Sequence, residues 1–202
     1  MPVVKKINTG SFLLGIWEIA ESLDTLVNAI AFYLYPSEKE YLRSISSEKR
    51  KKQWLATRLL LKHLLGSYSL IFYDKYGRPY LENKSISISH SGSYVALMIA
   101  NKRCAIDIEK ISSRVEKLKT KFLSASEQNF CIDDKICTLL WSLKETAYKY
   151  YGRKGLSFVK NIGIKKLDDN SAELVIKNRN LLLSLQISIT FFNGYVLTYC
   201  SQ

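Results

Sequence analysis

The amino-acid sequence predicts an α+β fold of two similar lobes, each with a long helix packed on a mainly antiparallel sheet. The first observation is that each half of the chain has a long helical stretch, at residues 47–65 and within residues 114–151, followed by short segments of strand character. The second is that no linker or low-complexity tract separates the halves. We therefore expect a pseudo-duplicated pair of lobes, at residues 1–102 and 103–202, packed as one rigid body. The order of helix and strands repeats between the halves, although the amino-acid sequence does not.

The first half begins with a strand-like apolar run at residues 11–20. Ser22 offers an N-cap to a helix that ends near residue 32, and Pro36 opens a second helix. The amphipathic pattern of residues 47–65 predicts the third and longest helix, which Gly66 ends. Strands are then expected at residues 70–73, 85–89 and 94–100.

The second half begins with a strand at residues 104–110 in which apolar and acidic side chains alternate. Helical segments are expected between about Arg114 and Tyr151, and Gly152 ends the last of them. Four further strands are expected at residues 157–166, 171–177, 182–190 and 194–200.

The composition is that of a basic globular protein. Of its 202 residues, 47% are hydrophobic, which is enough to build a core and argues against disorder. The 30 Lys and Arg residues against 18 Asp and Glu residues give a net charge of +12. A field of this sign attracts nucleic acid, an anionic membrane, a multiply phosphorylated cofactor or an acidic protein, and charge alone does not choose among them.

The four cysteines, Cys104, Cys131, Cys137 and Cys200, form no CxxC pair and lie in apolar segments. We expect all four to be reduced core residues. No apolar run approaches the roughly twenty residues of a membrane span, and the N-terminus has no signal-peptide pattern. A cytoplasmic location without membrane attachment is the expectation.

Three carboxylates are candidates for a metal site. Asp107 and Glu109 alternate with isoleucines, so both leave the same face of a strand, while Trp141, Glu145 and Lys149 recur every four residues along one side of a helix. Oxygen ligands of this kind suit Mg²⁺, which takes one or two protein carboxylates together with water and phosphate. The alternative is an ordinary surface strand and a solvated Glu–Lys pair on the helix.

Two cationic side chains are candidates for phosphate contacts. His90 stands at the end of a strand, just before Gly92, where a turn can present backbone N–H groups; a functional and a structural role are equally open from the residues alone. Arg58 emerges from the apolar stripe of its helix, where a partly buried guanidinium needs an anion. A phosphate would supply one. His63, the other histidine, is expected to be structural or exposed.

Six motifs occur in an order that is familiar. They are Arg58-x-Leu-Leu, Gly77-Arg78-Pro79-Tyr80, Ile88-Ser89-His90-Ser91-Gly92, Ile106-Asp107-Ile108-Glu109, Phe122-Leu123-Ser124-Ala125-Ser126-Glu127 and Trp141-x-x-Lys144-Glu145-x-x-x-Lys149. Together they resemble the 4'-phosphopantetheinyl transferases of the surfactin-synthetase-activating type. The likeness runs from about residue 47 to residue 158.

The resemblance implies a magnesium-dependent transferase with two similar α+β lobes. Members of this family bind coenzyme A as substrate between the lobes and transfer its phosphopantetheine arm to a serine of an apo acyl or peptidyl carrier protein, releasing adenosine 3',5'-bisphosphate. The N-terminal lobe would hold the nucleotide of coenzyme A, and the C-terminal lobe the magnesium ion and the carrier.

The resemblance also implies roles for individual residues. The magnesium ligands would be Asp107, Glu109 and Glu145. The contacts to coenzyme A would come from Arg58, Lys75, Gly77, Arg78, Pro79, Ser89, His90 and Lys149, with Arg58 at the 3'-phosphate and Gly77–Pro79 on the adenine side. One of Lys49, Arg50, Lys51 and Lys52 would also meet phosphate, and we expect it to be Arg50, which lies two helical turns before Arg58 and so on roughly the same face. The catalytic set would be Glu145, Glu127 and Lys149. The group that accepts the serine proton stays open among Glu145, Glu127 and a water on the metal.

The expected partners are coenzyme A and an acidic carrier protein, whose approach the positive charge would accelerate, with no nucleic acid and no membrane. Val115, Leu118, Phe122 and Leu123 would either contact a carrier helix, by resemblance, or pack in the core. We expect a monomer, since fused lobes supply the interface that a dimer would. The rival hypothesis is a basic nucleic-acid-binding protein without enzymatic activity, favoured by the charge and by 24 aromatic residues (12% of the chain) that could stack on bases.

Overall fold

A computed structural model describes residues 3–202, so the first two residues of the predicted N-terminal lobe lie outside the described part. Two antiparallel sheets lie on either side of the short connection at residues 101–103. Each sheet carries one helix of 18 residues. The predicted α+β class, with a long helix on a mainly antiparallel sheet in each half, is confirmed.

The N-terminal half forms a six-stranded sheet with the strand order β1-β2-β6-β5-β4-β3. Its strands are β1 (Val3–Asn8), β2 (Phe12–Glu18), β3 (Phe72–Tyr73), β4 (Pro79–Leu81), β5 (Lys84–Ser91) and β6 (Tyr94–Ala100). Its helices are α1 (Leu23–Ile30), α2 (Pro36–Ser44) and α3 (Glu48–Leu65). The predicted elements are all present, and β1 and β4 are additions.

Helix α3 begins and ends where the sequence predicts. The Ser47 side chain accepts a hydrogen bond from the backbone N–H of Arg50, and Gly66 adopts the left-handed conformation that ends the helix. Its leucines pack on β2, where Gly15 leaves room for them: a Cβ at this position would lie 2.8 Å from Leu60 Cδ1. A small residue in the strand therefore sets how closely helix and sheet approach.

The C-terminal half forms a five-stranded sheet with the order β7-β11-β10-β9-β8. Its strands are β7 (Cys104–Lys110), β8 (Ile162–Leu167), β9 (Ser171–Asn178), β10 (Leu181–Phe192) and β11 (Tyr195–Ser201). Its helices are α4 (Ser113–Glu116), α5 (Lys119–Phe122), α6 (Ala125–Gln128), α7 (Asp134–Tyr151) and α8 (Phe158–Asn161). The predicted strand at residues 157–166 is partly wrong. Ser157 caps α8 through its side chain, and the strand begins only at Ile162.

A ladder of serines on β5 joins the two sheets. The hydroxyls of Ser85, Ser87 and Ser91 accept hydrogen bonds from the backbone N–H groups of Cys104, Ile106 and Lys110, at 3.0–3.2 Å. The alternation Ser-Ile-Ser-Ile-Ser thus places hydroxyls on one face, where they replace the missing backbone partners of the edge strand β7. This contact holds the halves together along the full length of β7.

The cysteine prediction is wrong for one pair. Cys131 and Cys137 form a disulfide with a Cα–Cα distance of 4.6 Å, because the connection after α6 returns Cys131 to the first turns of α7. Cys104 and Cys200 are free and buried, as predicted. Within residues 3–202, no helix combines the length and the apolar character that a membrane span requires.

Candidate active site

The carboxylate site lies between β7 and α7. Trp141, Glu145 and Lys149 share one side of α7, and this side faces β7: the Trp141 indole N–H donates to Glu109, and the Lys149 ammonium donates to Asp107. The predicted alignment of these side chains is confirmed.

Asp107 is 2% exposed and is the most constrained member of the site. Its Oδ1 accepts hydrogen bonds from Ser89 Oγ at 2.8 Å and from Lys149 Nζ at 2.7 Å, and its Oδ2 accepts one from Ser142 Oγ at 2.8 Å. Lys149 Nζ also donates to the carbonyl of Ile106 at 3.1 Å. Both halves of the chain therefore orient this carboxylate, and one of the donors is Ser89, the residue predicted to contact coenzyme A.

Glu109 is held at both oxygens. Ser91 Oγ donates to Oε2 at 2.9 Å, and Trp141 Nε1 donates to Oε1 at 3.2 Å. Burial and the negative charge of Asp107 raise the pKa of Glu109. Its neighbours thus fix its position without neutralising its charge, since neither donor is ionised.

Glu145 is the third carboxylate. Burial and the charges of Asp107 and Glu109 raise its pKa to about 7, against the opposing effect of Lys149. Within residues 3–202 no side chain or backbone N–H donates a hydrogen bond to its carboxylate. The site therefore gathers three acids around one ammonium group, with a negative charge that a further cation would balance.

The chemistry of these donors fits a hard divalent cation, since all are carboxylate oxygens. Their present arrangement does not form a closed shell: in the described part of the chain, no group of three His, Cys, Asp or Glu side chains has the geometry of a metal cluster. Lys149 lies against the Asp107 oxygen instead. The ligand types nevertheless suit a metal, and the side chains of Ser89, Ser91, Ser142 and Trp141 already orient Asp107 and Glu109.

A cleft of about 300 Å³ opens between the two halves of the chain, and it meets the carboxylate site at Lys149, which bonds to Asp107. Its walls include the predicted turn residues Gly77, Arg78 and Pro79 from one half and Lys149 from the other. Gly77 has a φ of +80°, and Asp74 accepts hydrogen bonds from the backbone N–H groups of Tyr76 and Arg78, so the turn is fixed. Lys75 lies in this turn, exposed, and is not part of the cleft wall.

A second pocket, of about 430 Å³, contains the predicted phosphate contacts of the N-terminal half. Arg50, Arg58 and His90 all line it, and Arg50 Nη1 lies 2.6 Å from His90 Nε2. Loss of hydration lowers the pKa of His90, and the positive charges of Arg50 and Lys149 act in the same direction. The fold thus brings His90 to Arg58 and Arg50, which lie 32 and 40 residues before it in the sequence.

The inference that Arg58 needs an external anion requires a correction. Its Nε lies 3.2 Å from Oε1 of Glu38, a buried residue of α2, and its guanidinium stacks on Trp54. The acidic partner lies 20 residues away in another helix, and no sequence pattern predicts that this helix packs beside Arg58.

Glu127 occupies a different environment from the three acids. Its Oε2 accepts hydrogen bonds from Lys144 Nζ at 2.7 Å and from the Ser124 N–H, and its Oε1 accepts one from the Ile164 N–H. Lys144, which is fully buried, also donates to two backbone carbonyls. Both oxygens of Glu127 thus accept hydrogen bonds from within the C-terminal half, and these contacts stabilise its fold.

The candidate docking residues divide into two groups. Phe122 and Leu123 are each 1% exposed and pack in a core cluster with the disulfide, which favours the core alternative for them. Val115 and Leu118 pack on the outside of this cluster and are only partly buried. His63 is exposed, in agreement with its predicted role.

Two residues of the site escaped the sequence analysis. Ser142 and Thr198 are fully buried and hydrogen-bonded to each other, and Thr198 is the cross-strand partner of Asp107. Ser142 follows Trp141 directly, so a buried hydroxyl on the helix face next to the acids was a usable signal. Thr198 carries no such signal because it comes from the last strand, far along the chain.

Comparison with known proteins gives the same picture. Residues 103–200 match the 4'-phosphopantetheinyl transferase superfamily. The chain is 27% identical over 179 residues to the 4'-phosphopantetheinyl transferase gsp of Aneurinibacillus migulanus, covering 85% of this chain and 73% of that protein. It is 31% identical over 111 residues to a 4'-phosphopantetheinyl transferase of Bacillus subtilis, covering 50% of this chain and 49% of that protein. The chain is thus similar to 4'-phosphopantetheinyl transferases, and residues 103–200 match the superfamily model.

The similarity to 4'-phosphopantetheinyl transferases confirms the resemblance drawn from the six motifs. Asp107, Glu109 and Glu145 lie inside the matched residues 103–200. Arg50, Arg58 and His90 lie before them, in the half of the chain where the structure forms the second basic pocket.

Proposed function

We propose that this protein transfers the 4'-phosphopantetheine arm of coenzyme A to a serine of an apo acyl or peptidyl carrier protein, with Mg²⁺, and releases adenosine 3',5'-bisphosphate. The observation that carries the proposal is the group of three carboxylates around Lys149, a residue that also lines a basic cleft between the two halves. Three acids so placed repel one another unless a cation joins them, and basic walls suit a diphosphate.

In this proposal Asp107, Glu109 and Glu145 hold the ion, and the ion supplies charge neutralisation of the diphosphate when bound. Ser89, Ser142, Ser91 and Trp141 orient the first two carboxylates. Lys149 lies between Asp107 and the cleft, so its ammonium can exchange the carboxylate for a phosphate oxygen of coenzyme A.

The nucleotide of coenzyme A would occupy the cleft and the neighbouring basic pocket. Gly77, Arg78 and Pro79 would border the adenine, with Lys75 at the exposed edge of the same turn. Arg50, Arg58 and His90 would bind the 3'-phosphate and the nearer diphosphate oxygens. Pro79 lines both cavities, which makes the two subsites neighbours.

The serine hydroxyl of the carrier must lose a proton as it attacks phosphorus. Glu145 is the best-placed carboxylate for this role, since its oxygens accept no hydrogen bond within residues 3–202 and it lies near Asp107. Glu127 is withdrawn from this role because Lys144 and two backbone N–H groups already use both its oxygens.

The carrier would dock near α5 and α6. Val115 and Leu118 are partly exposed there, and Phe130 and Ile132, at 61% and 78% exposure, flank Cys131 of the same cluster. An acidic carrier would be attracted by the net charge of +12. The proposed complex has one chain of this protein, acts in the cytoplasm and involves neither nucleic acid nor a membrane.

The proposal is tested by mixing the protein with coenzyme A, Mg²⁺ and a set of apo carriers, and weighing the carriers by mass spectrometry. We expect the mass of one phosphopantetheine arm on at least one carrier, and no gain when EDTA replaces Mg²⁺. Unmodified carriers throughout, with salt-dependent binding of an oligonucleotide and none of coenzyme A, would instead support the nucleic-acid alternative.

A further inference from the structure

The second basic pocket contains Arg58, whose guanidinium is held by two neighbouring side chains, Glu38 and Trp54. The Arg58 side chain is only 4% exposed, yet it lines the pocket of about 430 Å³ together with Arg50 and His90. A guanidinium has five N–H donors in one plane, and burying it is costly unless these donors find acceptors.

Two contacts fix the guanidinium plane. Glu38 Oε1 accepts a hydrogen bond from Nε at 3.2 Å, and the guanidinium carbon lies 3.6 Å from the centre of the Trp54 ring. Within residues 3–202, no group accepts a hydrogen bond from Nη1 or Nη2. Every side-chain nitrogen without a partner in this part of the chain is reached by solvent, so Nη1 and Nη2 are too. The Nη edge therefore faces the pocket with four donors available.

Glu38 is itself held in place. It is 5% exposed, and its Oε2 accepts hydrogen bonds from the Tyr68 hydroxyl and from the backbone N–H of Tyr35 at the start of α2. Burial and the bond to Glu38 raise the pKa of Tyr68, which keeps its hydroxyl protonated and hence a donor. Tyr68, Glu38 and Arg58 thus form a chain of bonds that ends at the pocket.

We propose that Glu38, held by Tyr68, is a positioning residue that aims the Nη edge of Arg58 at a terminal phosphate monoester of the nucleotide substrate, and so sets the preference for coenzyme A over dephospho-coenzyme A. This inference rests on the proposed function and extends it to two residues outside the six motifs. The planar fork of an arginine binds a phosphate through two parallel bonds, which makes its orientation decisive.

The opposite role for Glu38 predicts an opposite result. If Glu38 merely neutralised Arg58 and competed with the ligand, removing its charge would leave Arg58 more attractive to phosphate, and coenzyme A would bind more tightly. If Glu38 positions Arg58, removing its charge loosens the guanidinium, and coenzyme A binds more weakly. The two ligands differ only in the phosphate, so their ratio isolates the effect.

The test uses the full chain with Glu38→Gln and Tyr68→Phe, and measures the Kd of coenzyme A and of dephospho-coenzyme A by calorimetry. Tyr68→Phe removes one hydroxyl and no charge, so it serves if Glu38→Gln folds poorly. The matched control is Glu48→Gln, which removes an acid from an exposed ion pair with Lys52 on the neighbouring helix. Circular dichroism establishes that each variant is folded.

We expect both variants to raise the Kd of coenzyme A about three- to tenfold, as for loss of one ordinary hydrogen bond, and to change that of dephospho-coenzyme A by less than about twofold. Glu48→Gln should change neither. Tighter coenzyme A binding by Glu38→Gln, equal losses for both ligands, or no loss in either variant would overturn the inference. Failure of the unmodified protein to bind coenzyme A would instead overturn the proposed function.

Discussion

Ser89 Oγ lies 2.8 Å from Asp107 Oδ1 and donates a hydrogen bond to it, although the two residues belong to different sheets. Ser89 is part of the serine ladder on β5, whose other members accept hydrogen bonds from the backbone of β7. The N-terminal half therefore orients a carboxylate of the C-terminal half. A buried contact between the halves and the chemistry of the proposed metal site depend on the same strand.

Replacing Ser89 with alanine tests this dependence. The variant loses one of three donors to Asp107 but no proposed metal ligand, and removing such an orienting bond weakens metal affinity or activity about ten- to a hundredfold. We expect the Mg²⁺ concentration for half-maximal transfer to rise by that factor. Ser85→Ala is the matched control, since Ser85 bonds only at Cys104. Equal effects of the two substitutions would contradict the prediction.

Substitutions of Glu145 and Asp107 should both reduce transfer but should differ in their effect on stability. Glu145→Gln removes a charge that is repelled by Asp107 and Glu109 and breaks no hydrogen bond within residues 3–202, so we expect an unchanged or higher midpoint of urea unfolding and at least about a hundredfold loss of transfer. Asp107→Asn should lose transfer equally but also lower the midpoint, because it breaks the ion pair with Lys149. Retained transfer in Glu145→Gln would remove this residue from the site.

Much of the fold was predictable because its signals are local. Ser47 and Gly66 mark the ends of α3, and the alternation of residues 85–89 marks β5; a cap and a period of two act within a few residues. The strand predicted at residues 157–166 failed for a local reason too, since four residues at Ser157 form a capped helical turn too short to show a period. β1 and β4 were missed because short or edge strands carry little pattern.

The site was predictable where one element carries the pattern, as with Trp141, Glu145 and Lys149 on α7. It was not predictable where partners come from distant elements. No sequence pattern predicts the ion pair of Arg58 with Glu38, and none predicts the ion pair of Lys144 with Glu127. Tertiary packing decides which charged groups meet, and the alternation of a strand or helix gives only the face on which each one lies.

The Glu127–Lys144 pair should matter for stability. Glu127 is 6% exposed and Lys144 fully buried, and removing one partner of a buried ion pair costs about 3–5 kcal/mol. We expect Glu127→Gln and Lys144→Met each to lower the free energy of unfolding by that amount in urea titrations. The double substitution should recover part of the loss, since it leaves no unpaired charge. The affinity for coenzyme A should not change, because neither residue lines the two basic cavities.

The pH dependence of this pair follows from the lowered pKa of Glu127. Burial alone would raise the pKa, but the hydrogen bond from Lys144 and two backbone N–H groups outweigh it. A carboxyl whose pKa is lower in the folded state stabilises the fold above its unfolded pKa, and this stabilisation is lost as the pH falls through the folded value. The stability difference between the unmodified protein and Glu127→Gln should therefore shrink below pH 4.5, the ordinary value. A constant difference would contradict the assignment.

The disulfide predicts how many thiols of the chain can be alkylated. With Cys131 and Cys137 joined and Cys104 and Cys200 free, two thiols per chain should be alkylated in denatured, unreduced protein. Cys131→Ser should raise this number to three by releasing Cys137, whereas Cys104→Ser should lower it to one. Because the disulfide closes a loop of only six residues, its loss should cost about 2 kcal/mol of unfolding free energy. Four reactive thiols in freshly purified, unreduced protein would restore the sequence-based expectation of four reduced cysteines.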